Sequence, residues 1–174
     1  MAIKELQYHI HELVSSIDIC RKDRKLTPSL ILLYSTIDIM AWLDRDENHN
    51  DVRRSDFIKW VETYLLPNYL FSCTALDLYA ARCAIIHSYS SESSLSRNGE
   101  ANMIFYTWGT ATNENLQNHI YHIGCSNIRT IHIDKLFYAL KDGTNKFLLN
   151  NQHNKIVLER SKKFLTMIEL NPKN

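Results

Sequence analysis

Apolar residues recur with helical spacing from the start of the chain. Ile3, Leu6, Ile10, Leu13, Val14, Ile17 and Cys20 form one stripe with a charged back, which predicts an amphipathic helix over residues 3–24. Thr27 and Pro28 then read as N-cap and first position of a second helix over residues 28–43, whose sequence LILLYSTIDIMAWL is almost wholly apolar. Residues 44–54 (DRDENHNDVRR) form a charged connection. Ser55 reads as the cap of a third helix bearing Phe57, Trp60, Val61, Tyr64 and Leu65, with Pro67 as its stop. Residues 72–90 predict a fourth helix, free of Gly and Pro and apolar on nearly every side.

A Ser-rich stretch, residues 88–99, ends on the turn signal Asn98-Gly99. The segments NMIFYTW and NIRTIHI (the latter at 127–133) have strand composition, with a polar, His-rich connection at 109–126 between them. They read as a β-hairpin standing off the helical body. Asp134 is placed to cap a helix with Leu136, Phe137, Leu140, Phe147 and Leu148 on its apolar face and a break near Gly143. Residues 154–169 predict a last amphipathic helix before a frayed NPKN tail. The expectation is one domain over 1–174: a helical core (1–90), a β-hairpin insertion (100–133) and C-terminal helices (134–170). The fold class is mainly α, a four- to five-helix bundle.

Composition narrows the function. With 174 residues, a single core of useful size is within reach. The net charge of +1 supplies no global basic field, so any nucleic-acid chemistry needs a local site. The four cysteines are scattered without Cys-x-x-Cys, which fits reduced thiols and a cytoplasmic home. No signal-peptide core and no uninterrupted apolar run of about 18 residues is seen, so no membrane is expected as a partner. No Gly-rich phosphate loop and no Gly-x-Ser-x-Gly is present.

The chemistry concentrates on the fourth helix. Asp77, Arg82 and His87 are ionisable groups in apolar surroundings, where charge is costly unless paired. His serves as acid or base near neutrality, and the Arg fork matches phosphate oxygens. Five residues along a helix is about 140° round and about 7.5 Å up, so Arg82 and His87 do not share a face. A joint site needs a bent terminus, a wrapping Arg or a second subunit. The alternative is structural, with Arg82 paired to Asp77 or Asp38 and His87 favourable at the helix end. Asp38, with Tyr34 one turn before it, reads as a carboxylate that positions Arg82 or is bonded by a tyrosine. Arg97, after the Ser-rich run, is a candidate phosphate ligand, or simply part of a polar turn. His119, His122, Cys125 and His132 have zinc-compatible spacing, but a zinc site needs four well-placed ligands and two of these fall in a loop, so no metal is expected.

Arg82-Cys83-Ala84-Ile85-Ile86-His87 resembles the Arg-x4–6-His motif of the HEPN superfamily, small helical domains. The longer string LYAARCAIIHSYSSESSLSR, followed by IFYTWG, is also similar to a group of uncharacterised bacterial proteins, a likeness that carries no activity. The HEPN resemblance implies a HEPN-like bundle, a homodimer with the motif at its interface, and metal-independent RNA cleavage or RNA binding of a toxin or stress-defence kind. It implies no cofactor, with His87 as acid–base and Arg82 on the scissile phosphate. Active members often carry a polar residue after the Arg, where this chain has Cys83. The rival reading is a non-enzymatic helical dimerisation or protein-interaction module.

Overall fold

The most apolar segment becomes the centre of the fold. In the computed structural model, which describes residues 2–122, 124 and 126–164, α2 (Leu26–Asp44) packs against α1 (Ala2–Lys22). It also touches α3 (Arg54–Trp60), α4 (Ala75–Ser88), α7 (Ile133–Asn151) and α8 (Lys155–Ser161). Leu33, Tyr34, Ile37, Met40 and Leu43 are fully buried, as expected of a helix apolar on every side. By length and composition α2 also suffices to cross a membrane (19 residues, mean hydropathy 1.4), and half of that window is buried inside the fold. Cys125 and the end of the expected last helix, with its tail, lie outside the described residues.

Helix starts differ from the expected ones by up to three residues. Lys25 is the N-cap of α2, so Thr27 and Pro28 sit inside its first turn, where the first amides have no helical partner and a Pro costs little. Arg53, not Ser55, precedes α3, and the Asp56 carboxylate accepts its amide at 2.8 Å. α3 runs on into one π-helical turn, Val61–Leu65. At the other end of α2, the buried Arg160 of α8 donates to the carbonyls of Leu43 (2.8 Å), Arg45 (2.6 Å) and Asp46 (3.2 Å). These are the acceptors a helix C-terminus leaves open.

The β-hairpin is a correction. β1 (Met103–Thr107) and β2 (Ile128–His132) are parallel, with Met103 opposite Ile128 and Thr107 opposite His132. A parallel pair cannot close with a tight turn, and residues 108–127 provide the crossover, carrying α6 (Asn113–His122). The unit does not stand off the body, because Ile104 and Ile131 belong to the main core. α5 (Ser94–Arg97) leads into β1.

Two expectations about α7 also change. His132 is its N-cap, accepting the Asp134 amide at Nδ1 (3.2 Å). Asp134 instead lies in the first turn and accepts from Arg21 of α1 at 2.5 Å. Gly143 does not break the helix. A Cβ there would lie 2.8 Å from the Tyr64 carbonyl oxygen, so the glycine lets α7 press against the π-helical turn.

Candidate functional site

Thr74 starts α4. Its hydroxyl accepts the Asp77 amide at 3.1 Å, and the Asp77 carboxylate returns the bond to the Thr74 amide at 2.9 Å. The other Asp77 oxygen accepts the Asn102 amide (2.6 Å) and side chain (3.2 Å). Asp77 is therefore buried at the helix start, not turned to solvent, and ties α4 to the entry of β1. It has no part in holding Arg82.

Asp38 is the residue that does. Its Oδ2 accepts from Arg82 Nε at 2.8 Å and lies 2.7 Å from Nη2. Of the two carboxylates that the sequence offered to Arg82, Asp38 on the adjacent helix is the one that pairs with it. Burial pushes the Asp38 carboxyl above its ordinary value, while Arg82 and then His87 pull it back. Burial also works against the Arg82 charge, but Asp38 raises the guanidinium overall. The contact itself favours the charged form of both groups, and it is burial that moves the Asp38 carboxyl the other way. Two donors on one carboxylate oxygen are the geometry of an ion pair, and we read both groups as charged at neutral pH.

Arg82 also reaches His87. Its Nη1 lies 3.0 Å from His87 Nε2. Cα–Cβ bonds tilt towards a helix N-terminus, so the His87 ring leans back, and the long Arg82 side chain wraps round the helix to meet it. Arg has donors only, so Nε2 accepts, and the imidazole in this arrangement is neutral with its proton on Nδ1. Arg82 is about one-fifth exposed and His87 is exposed, so the pair lies at the surface. The helix stops just beyond it. Tyr89 adopts the left-handed conformation (φ 50°), and the Ser90 amide turns back to the Ala84 carbonyl. A left-handed tyrosine, 70% exposed, is a strained cap beside the pair.

The remaining candidates are arranged differently. Tyr34 does not bond Asp38. Its hydroxyl meets that of Tyr106 on β1 at 2.5 Å, and burial pushes both phenols up. Cys73 beside them is pushed up to about 12, by burial first, and this group is a polar knot of the core. Arg97 is turned to Glu92 at 3.2 Å, and Ser93 and Ser96 cap each other. His119 and His122 are exposed on the last turn of α6, while His132 Nε2 lies 3.2 Å from the Gly109 carbonyl. Among the described residues no three His, Cys, Asp or Glu side chains gather as a metal site.

Sequence reasoning missed the surroundings of Arg82. Cys83 Sγ lies 3.9 Å from Nη1, and Tyr79 stands one turn earlier on the same helix, with Arg54 of α3 on its ring. The spacing of Tyr79, Arg82 and Cys83 was the available signal. Asp38 also borders a groove of about 990 Å³ with Glu5, His9, Glu12 and Trp42, but neither Arg82 nor His87 lines it. Comparison of the chain with protein-family models, with curated proteins and with solved structures finds no match.

Proposed function

We propose that the chain is a HEPN-like, metal-independent endoribonuclease acting as a homodimer, with Arg82 and His87 as its catalytic residues. The observation that carries this reading is the 3.0 Å contact between Arg82 Nη1 and His87 Nε2, with Asp38 fixing the guanidinium from behind. A phosphate placed between them takes over the Arg82 donors, and the imidazole is freed as a base. The 2′-oxygen then attacks phosphorus, the bond to the 5′-oxygen breaks, and a cyclic phosphate remains. The 2′-hydroxyl proton passes to Nε2. In a homodimer the second copy's His87, released from its own Arg82 and protonated from solvent, supplies the proton to the leaving 5′-oxygen. The second copy also answers the half-buried apolar residues Ile39, Trp42 and Ile86, which lie within four residues of Asp38 or Arg82 on α2 and α4.

The test is cleavage of varied RNAs by purified protein with chelator present. His87→Ala should lower the rate by about 10²–10⁴-fold with the fold retained by circular dichroism. Equal cleavage by wild type and variant would assign the activity elsewhere. An absence of cleavage by the wild type would favour the interaction module.

A further inference from the structure

In the proposed reaction the scissile phosphate lies at the Arg82–His87 pair, and the RNA strand must continue past it. We propose that Arg54, laid on the ring of Tyr79, is a second phosphate subsite, and that single-stranded RNA runs along Arg54, Tyr79, Cys83, Arg82 and His87. This rests on the ribonuclease reading and adds a binding path to it.

The strip is continuous. Tyr79 lies three residues before Arg82 and four before Cys83, on one face of α4. The Arg54 guanidinium carbon is 5.7 Å from the Tyr79 ring centroid, and Phe57 meets the same ring edge-on at 5.3 Å. Both contacts hold the ring, and the ring in turn orients the guanidinium. Cys83 Sγ then reaches Arg82 at 3.9 Å. The Tyr79 phenol senses all its neighbours: burial and then the Cys83 thiol push it up, while Arg82 and Arg54 pull it down.

The two arginines differ in how firmly they are neutralised. Asp38 lies 2.7 Å from Arg82, with both side chains about four-fifths buried. Glu100 lies 3.9 Å from Arg54, and those side chains are 41% and 49% exposed. An exposed pair at that distance is weak and readily exchanged. Arg54 is thus a pre-oriented cation whose carboxylate an RNA phosphate can displace.

The experiment uses the full chain and a fluorescein-labelled single-stranded oligouridylate, with His87→Ala as background so that the RNA stays whole. Arg54→Ala should weaken binding and reduce the slope of log K against log salt by about 0.7, the value for one phosphate contact on a single strand. Arg54→Lys should restore the slope, and Glu100→Gln should tighten binding. With His87 intact, Arg54→Ala should raise KM and leave kcat nearly unchanged. Unchanged affinity and slope in a folded Arg54→Ala protein overturn the subsite, whatever the fate of the catalytic assignment. Arg54-dependent binding alongside undiminished cleavage by His87→Ala keeps the subsite and overturns the catalytic pair. A wild type that neither binds nor cuts RNA overturns both.

Discussion

Arg82 and His87 touch across a turn of helix that their spacing alone would keep apart, Nη1 to Nε2 at 3.0 Å. The contact exists because one side chain is long and the other leans back towards it. Asp38 holds the Nε edge of the same guanidinium, so the fork is used on both sides at once. That double use sets the expectations for Arg82.

Arg82→Lys keeps the charge and loses the fork. A single ammonium cannot serve Asp38 and a phosphate together. Cleavage should fall by about 10²-fold or more, of the order of losing one transition-state donor. Stability should fall by about 1–3 kcal/mol, below the cost of breaking a fully buried pair because both partners are partly solvated. Single-turnover cleavage and urea unfolding measure the two effects separately.

Two carboxylates should give opposite pH trends. Asp38 is raised by burial in the folded state, so the native protein binds the extra proton just above the unfolded value of 3.8. Its contribution to stability therefore falls as pH rises through that window and then levels off. Asp18 is lowered, by Lys22 first and also by Arg21, so its contribution is present above 3.8 and lost on acidification. Urea midpoints of wild type, Asp38→Asn and Asp18→Asn between pH 3 and 7 should show differences of opposite slope. Parallel curves would refute the assignment.

Asp77 should act on stability alone. Asp77→Ala leaves the Thr74 and Asn102 amides without the buried carboxylate that accepts them and is expected to cost about 1–2 kcal/mol, the usual cost of losing a helix cap. Cleavage at a temperature where the variant is folded should stay close to wild type. A large loss of kcat there would give Asp77 a role that its geometry does not indicate.

Gly143→Ala sets two effects against each other. Alanine favours a helix by about 0.8–1.0 kcal/mol over glycine. Its Cβ would meet the Tyr64 carbonyl oxygen at 2.8 Å, where backbone must move, and such overpacking costs about 1–3 kcal/mol. The expected result is net destabilisation, read as a lower melting temperature. Stabilisation would mean that α7 shifts freely.

Assembly is tested directly. Multi-angle light scattering at micromolar concentration should report twice the chain mass of 20.4 kDa, and Ile86→Arg should reduce it to one. A wild-type monomer would remove the second proton donor from the proposed mechanism.

The periodicity of the chain determined the helical pattern of α1 to α4. Its isolated charges also narrowed one contact, because Arg82 in an apolar helix needed Asp77 or Asp38, and the structure chose Asp38. Strand composition located β1 and β2 but not their direction, since the same residues suit either pairing and only the crossover helix decides. Gly143 read as a breaker because a close approach between α7 and Tyr64 has no signature along the chain. Asp77 reads as a site residue along the chain, because nothing in its spacing shows that its oxygens are bonded at the helix start and to Asn102. The Arg82–His87 contact and the Arg54–Tyr79 stack depend on where side chains lie around and between helices. Packing sets those positions, and spacing along one segment does not encode them.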